Sequence, residues 1–270
     1  MLKKIEYKGT VVAYEYYRQH ASATNTLVLI HGFASRGSVF KAQVQALKDS
    51  YHIIVPDLPG SGASQTNGSF ESIADYARLI DFILDAEGLQ RVTVFGHSMG
   101  GYIALALAEL HPELINGLGL IHSTAFADNE EKKSNRLKAI DLMERHGGYS
   151  FLKTMIPALF GEGFKKEFPD KIKDIIEENR DFETTTLQHY YQIMHDRLDK
   201  TDLLKRLDIP FLFVSGTEDK AAPAGDLTVQ AALPAVAMME VLQGAGHMGL
   251  LERPKRMTHI MEAFIALLKP

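Results

Sequence analysis

The sequence of 270 residues contains no cysteine. This absence excludes disulfide bonds, thiolate metal sites and a cysteine nucleophile. Long apolar runs are absent too, since no stretch approaches the ~20 residues that a membrane-spanning helix needs. Glu6 and Lys8 interrupt the apolar segment that a signal peptide would have. We therefore expect a soluble, cytoplasmic protein without a membrane partner.

Basic residues are the minority among the charged side chains. The formal net charge is −5 at pH 7, and no basic stripe is present, which argues against a nucleic-acid partner or an anionic membrane surface. The eleven histidines include no His-Glu-x-x-His motif, and no G-x-x-x-x-G-K-[ST] loop occurs. We therefore expect no metal and no nucleotide cofactor.

Short apolar runs bounded by turn residues predict strands that are buried on both faces, as in a parallel sheet. The runs are Thr26–Ile30 and residues 53–55, 92–95, 117–121 and 211–214. Residues 11–18 instead alternate between apolar and polar side chains, which is typical of an antiparallel edge hairpin. Helical patterns separate the runs, so we predict an α/β fold with a mostly parallel, doubly wound sheet.

Three helical patterns belong to this alternation, at residues 70–88, 102–110 and 254–268. Ser69 is the predicted N-cap of the first and Gly88 its stop. In doubly wound sheets, functional residues gather at the carboxyl ends of the strands.

Residues 125–200 interrupt the alternation, because they contain helical patterns and no convincing strand. The predicted helices are Glu130–His146 and residues 149–160, 168–180 and 184–197. We therefore predict a helical insertion at 125–200 in an α/β core made of residues 1–124 and 201–270.

Residues 96–101 read Gly-His-Ser-Met-Gly-Gly between a predicted strand and a predicted helix. This fits the G-x-S-x-G nucleophile elbow in the context that the motif requires. Glycines let the strand reverse sharply into the helix, which holds the serine in a strained conformation with its hydroxyl exposed. The pattern predicts that Ser98 is a nucleophile rather than a surface serine in a glycine turn.

A serine hydroxyl needs a base to take its proton and a carboxylate to orient that base. In this architecture the acid and then the histidine follow later in the chain, each after a core strand. Asp219 follows the run at 211–214, and His247 lies in a glycine-rich loop after a further strand. We predict His247 as the general base and Asp219 as its acid, with Glu218 as the less favoured substitute.

The oxyanion that develops during acyl transfer also needs hydrogen-bond donors. One is the backbone N–H of Met99, the residue after the nucleophile, and the other comes from a loop after an early strand. The loop after Thr26–Ile30 places Phe33 as the second donor, with Gly32 allowing close approach.

Several further side chains are candidates for a pocket or for packing. The pocket candidates are His122, Tyr190, Tyr191 and Met194. For each, burial in the core or packing of the insertion is the competing interpretation. We expect structural roles for His31, Asp57 and His97. Arg36 is predicted to be a solvated loop arginine, with pairing to a substrate carboxylate as the alternative interpretation.

The motifs resemble, in order, those of the α/β-hydrolase superfamily, specifically its cap-bearing esterase and C–C hydrolase-like branch. The matching segments are residues 31–33, 56–62, 96–101, 215–219 and 246–247. The resemblance covers nearly the whole chain. It implies a Ser98–His247–Asp219 triad, an oxyanion hole at Phe33 and Met99, and a helical cap at the insertion.

We therefore expect a serine hydrolase that cleaves a small-molecule acyl substrate, a carboxylic ester, through an acyl-enzyme. The same triad also supports cleavage of a C–C bond beside a ketone, so a diketone remains an alternative, as do thioesters and lactones. A ligand-sensing receptor that keeps the hydrolase scaffold without turnover is the rival from another class.

Overall fold

The computed structural model describes residues 1–18 and 26–268 of the protein, and its strands form one sheet. The eight strands are β1 (Leu2–Tyr7), β2 (Thr10–Tyr17), β3 (Thr26–Ile30), β4 (His52–Pro56), β5 (Val92–His97), β6 (Ile115–Ile121), β7 (Phe211–Gly216) and β8 (Ala237–Leu242). The five predicted apolar runs correspond to β3 through β7 and are confirmed.

The strand order is β1-β2-β4-β3-β5-β6-β7-β8. The hairpin of β1 and β2 pairs antiparallel with β4 at one edge, and the remaining neighbours are parallel. Every residue of β3, β5, β6 and β7 is buried, which explains why these strands read as continuous apolar runs. The predicted fold class and the edge hairpin are confirmed.

Twelve α-helices accompany the sheet within residues 1–18 and 26–268. They are α1 (Lys41–Leu47), α2 (Ile73–Ala86), α3 (Met99–Leu110), α4 (Glu130–His146), α5 (Gly148–Ala158), α6 (Glu162–Glu167), α7 (Pro169–Glu178), α8 (Thr184–His195), α9 (Thr201–Arg206), α10 (Ala224–Ala231), α11 (Gly249–Glu252) and α12 (Pro254–Leu267). None of the described helices combines the length and apolarity that crossing a membrane requires.

Side chains of β5 show which helices cover each face of the sheet, because successive residues of a strand point to opposite faces. Phe95 packs edge-on against Phe264 of α12, with ring centroids 5.9 Å apart. The next residue, Gly96, abuts the backbone of Gly100 in α3. Therefore α12 and α3 lie on opposite faces, with α1 packed against α12 and α2 against α3.

The start of α2 differs from the prediction. The N-cap is Ser72, whose hydroxyl accepts a hydrogen bond from the N–H of Asp75. The predicted cap, Ser69, instead donates its hydroxyl to Asn67 at 2.6 Å and belongs to the preceding turn. Ser69 directly precedes the apolar Phe70 and Ser72 directly precedes the apolar Ile73, so both serines fit the rule and spacing alone does not choose between them.

Helices α4 to α9 all lie between β6 and β7, where the sequence predicts four. The predicted helix Glu130–His146 has the observed bounds, and the other three agree to within a few residues at each end. The two helices that were not predicted are α6 and α9, and each has only six residues. Such a short helix gives too little periodicity to identify.

Candidate active site

Ser98 occupies the turn between the last residue of β5 and the first residue of α3. Its backbone has φ 53° and ψ −118°, in a region that non-glycine residues seldom adopt because the Cβ crowds the backbone. The side chain is half-buried and lines a cavity. The local sequence thus forms the strained strand-to-helix turn that the motif predicts.

Two glycines make this turn sterically accessible. A Cβ on Gly96 would lie 2.3 Å from the carbonyl oxygen of Gly100. A Cβ on Gly100 would lie 2.1 Å from the carbonyl oxygen of Ile30, at the end of β3. Real Cβ atoms do not approach so closely, so α3 packs against β5 and β3 only because these positions carry no side chain.

Asp219 and His247 extend from the loops after β7 and β8. These strands pair in parallel up to Gly216 and Leu242, so the two loops begin side by side. Both carboxylate oxygens of Asp219 lie 3.1 Å from Nδ1 of His247. Glu218, the alternative acid, instead accepts a hydrogen bond from the N–H of Glu162 at 2.7 Å.

His97 connects the nucleophile turn to the His247 loop. Its Nε2–H donates to the backbone carbonyl of His247 at 3.0 Å, and the two imidazole centroids are 5.2 Å apart. Ser98, the next residue, lines the same cavity as His247. The structure thus gathers Ser98, Asp219 and His247 at the carboxyl edge of the sheet.

His122 contacts the same carboxylate. It follows β6, which lies between β5 and β7, and its Nδ1–H donates to Oδ2 of Asp219 at 2.8 Å. The side chain is fully buried, so the prediction that His122 lines the pocket is wrong. Because His122 follows a central strand, the sequence does predict that it lies near the proposed active site.

The electrostatics of this cluster favour an ionised acid. Burial by itself raises the pKa of Asp219, but the charges and hydrogen bonds of His247 and His122 outweigh it and hold the pKa well below its ordinary value. The backbone N–H groups of Ala221 and Ala222 donate to Oδ1 at 2.9 and 3.0 Å and add to this stabilisation. A buried carboxylate with several donors retains its charge at neutral pH.

His122, Asp219 and His247 also meet a geometric criterion for a metal site. Within the described ranges, their candidate ligand atoms lie within 4.8 Å of one another. The separations of 2.8 and 3.1 Å are those of N–H···O hydrogen bonds, which require a proton on each Nδ1. A metal ion would have to replace those protons, whereas the hydrogen bonds satisfy the carboxylate as it stands.

The two predicted oxyanion donors lie on either side of Ser98. Met99 is the first residue of α3, so its N–H has no acceptor one turn earlier in the helix. Phe33 lines the cavity, and the preceding Gly32 is so close to Ser98 that a Cβ on it would lie 2.9 Å from the serine Cβ.

His31 orders the loop that carries Phe33. Its Nδ1–H donates to the carbonyl of Gly32 at 2.9 Å, and its Nε2 accepts from the N–H of Leu58 at 2.9 Å. The hydroxyl of Ser61 lies 2.9 Å from the same Nε2 and donates to the carbonyl of Leu58. Burial lowers the pKa of His31 to about 4. The predicted structural role of His31 is confirmed.

Asp57 also has the structural role predicted for it. Its two carboxylate oxygens accept from the N–H groups of Gly37 and Ala63, each at 2.8 Å. Arg36 differs from the prediction of a solvated loop arginine, because its guanidinium donates to the carbonyl of Glu178 at the end of α7.

The cavity beside Ser98 has a volume of about 530 Å³, and residues of α8 form part of its lining. Tyr191 and Met194 contribute to this lining as predicted. Tyr190 does not, because its hydroxyl points away and donates to the carbonyl of Pro59 at 2.6 Å. Tyr190 is fully buried and packs between α8 and the core, which was the competing interpretation.

Four charged residues that were not predicted from the sequence also line the cavity: Asp128, Lys132, Arg136 and Lys220. Lys132 and Arg136 are four residues apart on α4, so they share one helical face. That spacing was the one local signal, and it does not reveal which way the face points.

The backbone of the His247 loop is also hydrogen-bonded to the helices between β6 and β7. The N–H of His247 donates to the carbonyl of Leu159 at 2.6 Å. Glu252 connects the same two segments. Its carboxylate accepts from the N–H of Gly161 in the insertion and from the N–H of Gly246 in the His247 loop, each at 2.9 Å.

The chain is similar to known proteins in sequence and in fold. The chain is 28% identical to the uncharacterized hydrolase YugF of Bacillus subtilis over 277 aligned residues, which cover 98% of this chain and 97% of that protein. It resembles the structure of a thermophilic esterase from Thermogutta terrifontis with a TM-score of 0.88 at 27% identity, covering 98% of each chain. An enol-lactonase from Burkholderia xenovorans, 22% identical, gives a TM-score of 0.87 over 98% of this chain and 100% of that one, which shows a common fold.

A sequence profile described as the alpha/beta hydrolase fold matches residues 25–254. This match covers most of the chain and includes the elements that carry Ser98, Asp219 and His247. The protein therefore belongs to the alpha/beta hydrolase fold family, and it is a hydrolase of that fold.

Proposed function

We propose that the protein is a serine hydrolase that cleaves a small carboxylic ester through an acyl-enzyme. The observation that carries this proposal is the position of Ser98, held at φ 53° in the turn before α3 and sharing a cavity with His247. The hydrogen bonds between Asp219 and Nδ1 of His247 support it further, because they leave Nε2 of the imidazole to accept a proton.

In the first half-reaction, Nε2 of His247 takes the proton of the Ser98 hydroxyl as the serine oxygen bonds to the ester carbonyl carbon. The carbonyl oxygen becomes an oxyanion that accepts from the N–H groups of Met99 and Phe33. The intermediate then collapses, the C–O bond of the leaving alcohol breaks, and that oxygen receives the proton from His247. Water, deprotonated by His247, then attacks the carbonyl carbon of the acyl-enzyme. The bond between that carbon and the Ser98 oxygen breaks, and His247 returns the proton to this oxygen, which releases the acid and free Ser98.

Residues 125–200 act in this proposal as a cap over a core of residues 1–124 and 201–270. Its support is that α4 to α8 form one continuous insertion between β6 and β7, from which Tyr191 and Met194 reach the cavity. Substrate choice would then depend on the cap, because the triad itself is common to many chemistries.

The similarity to the Thermogutta terrifontis esterase favours an ester over the other acyl compounds. A panel of p-nitrophenyl esters of increasing acyl length, assayed beside a thioester, a lactone and a vinylogous diketone, tests this choice. Turnover of the diketone alone would replace the ester by a C–C substrate. Binding without turnover of any of them would favour a ligand-sensing receptor.

The nucleophile is tested with Ser98→Ala, which should fold normally and lose hydrolysis of p-nitrophenyl acetate. Ser35→Ala is the matched control, since Ser35 lines the same cavity and should be dispensable. A fluorophosphonate probe should label the wild type and the control but not Ser98→Ala, as read by intact-mass spectrometry. Retained turnover or labelling in Ser98→Ala would overturn the assignment.

A further inference from the structure

The cavity beside Ser98 is positively charged although the whole protein is acidic. Apart from the two histidines His97 and His247, its lining residues of formal charge at pH 7 are Asp128, Lys132, Arg136 and Lys220. Three of these four residues are cationic, whereas the net charge of the chain is −5. A cavity of one sign with low-dielectric walls concentrates ligands of the opposite sign.

The one acidic group in this lining is already neutralised by two arginines. Oδ2 of Asp128 accepts from Nε of Arg136, and Oδ1 accepts from the guanidinium of Arg197 at 2.8 Å. The Asp128 side chain is only 1% exposed. The carboxylate therefore holds Arg136 in place without cancelling the charge of the pair of arginines.

The orientation of Arg136 leaves its donors free to bind a ligand. Nε is used by Asp128, and the guanidinium lies over the ring of Tyr191, 5.2 Å from its centroid. Across residues 1–18 and 26–268, no hydrogen-bond acceptor meets the two terminal nitrogens of Arg136. They are not sealed in the interior either, because the side chain keeps 17% exposure and lines the cavity.

One aromatic ring separates this guanidinium from the proposed oxyanion loop. The ring of Tyr191, which contacts Arg136, also packs against the ring of Phe33, with centroids 4.5 Å apart. Arg136, Tyr191, Phe33 and Ser98 all line the same cavity. A ligand that fills this cavity can therefore contact both Arg136 and Ser98.

We propose that Arg136 is the centre of an anion subsite, with Lys132 and Lys220 adding charge around it, and that the substrate is an ester bearing a carboxylate. This inference rests on the proposed ester hydrolysis. The planar guanidinium offers two parallel N–H donors that match the two oxygens of a carboxylate, and its contacts with Asp128 and Tyr191 fix the direction of that fork. A small dicarboxylic acid monoester has the required chemistry.

The test compares 4-nitrophenyl hemisuccinate with its methyl ester, which has nearly the same length and lacks the charge. Arg136→Gln should lower kcat/KM for the hemisuccinate by about ten- to a hundredfold, the range expected for losing charge-assisted hydrogen bonds. For the methyl ester the same variant should change kcat/KM by less than about threefold. A parallel pair, the acetate ester of glycolic acid and its methyl ester, covers a carboxylate on the alcohol side.

Two further variants separate charge, geometry and folding. Arg136→Lys keeps the positive charge but lacks the two parallel N–H donors. Its kcat/KM for the carboxylate-bearing esters should lie between those of the wild type and Arg136→Gln. Lys138→Gln removes an exposed charge from the same helix and should leave both substrates unaffected. An equal loss on acid and methyl ester in Arg136→Gln, or wild-type preference for the methyl esters, would overturn the subsite.

Binding to Ser98→Ala distinguishes this inference from the proposed function. Calorimetry with monomethyl succinate should show binding to Ser98→Ala, and the Arg136→Gln substitution in that background should weaken it by a similar factor. Absence of binding there would overturn the subsite even if Ser98 is the nucleophile. If Ser98→Ala retains turnover, the nucleophile assignment fails, while the comparison of acid and methyl ester still decides the subsite.

Discussion

At the scale of single residues, the unusual feature is a carboxylate shared by two histidines. Asp219 is 5% exposed and accepts from both His122 and His247. A buried carboxylate with a missing donor suffers a desolvation cost of about 1–3 kcal/mol. We infer that His122 is a positioning residue, because its hydrogen bond fixes the carboxylate that in turn orients His247.

We expect His122→Leu to lower kcat for ester hydrolysis by about tenfold or more, since the acid loses one donor. His122→Asn should recover part of the loss, because its amide nitrogen takes nearly the place of Nδ1 and asparagine tolerates the φ of 49° found here. Steady-state kinetics give kcat and KM separately. A wild-type kcat in His122→Leu would show that the bond has no effect on the reaction.

At the scale of elements, the turn between β5 and α3 depends on close backbone contacts rather than on side-chain packing. The contact of Gly100 with the carbonyl of Ile30 joins α3 to the end of β3. The same contact brings the loop after β3, with Phe33, beside the serine. The packing of α3 against β3 and the position of Phe33 beside Ser98 therefore both require that residue 100 has no side chain.

Gly100→Ala should destabilise the protein by more than about 3 kcal/mol, because the new Cβ would overlap backbone that cannot move independently. Gly225→Ala is the matched control, since Gly225 is an exposed position of α10 with nothing within 4 Å of an added Cβ. It should stabilise the protein by up to about 1 kcal/mol. Urea unfolding measures both, and equal effects would contradict this account of the turn.

Some elements can be predicted from the sequence more readily than others. The inner strands and the turn at Ser98 are predictable because local patterns determine them: continuous apolarity for buried strands and glycine spacing for the turn. Asp219 and His247 are predictable because each follows a strand, and neighbouring parallel strands place their loops together.

The features that local patterns do not determine were predicted wrongly or missed. Tyr190 and Tyr191 are consecutive on α8, yet only Tyr191 reaches the cavity, because the direction of a helix face depends on how the helix docks. Arg136 was missed for the same reason. Its ion pair with Asp128 and its contact with Tyr191 arise from tertiary packing.

At the scale of the whole molecule, stability should depend on pH through buried neutral histidines. Burial lowers the pKa of His31 to about 4. Burial, and then the neighbouring His247 and His122, lower the pKa of His97 as well. Between the ordinary histidine pKa of about 6.5 and the lowered values, the unfolded chain binds protons that the native protein does not, so stability falls as the pH falls.

We expect the free energy of unfolding to decrease from pH 7 toward pH 4, with His31 alone contributing about 3 kcal/mol. His31→Gln keeps an acceptor for the N–H of Leu58 and should make the pH dependence shallower by about one proton. His259→Gln, an exposed position on α12, is the control and should leave the slope unchanged. Urea unfolding across this pH range measures the slopes, and identical slopes for His31→Gln and the wild type would refute the assignment.

The hydrogen bond from the N–H of His247 to the carbonyl of Leu159 constrains how a ligand gains access to Ser98. Leu159 directly follows α5. An outward movement of the whole insertion would therefore break this bond and release the main chain that carries the imidazole. With the insertion moved outward, a ligand could enter, but His247 would no longer be held in position to accept the proton of Ser98. A route that avoids this conflict leaves the junction at residues 159–161 in place and displaces only other parts of the insertion, such as α4.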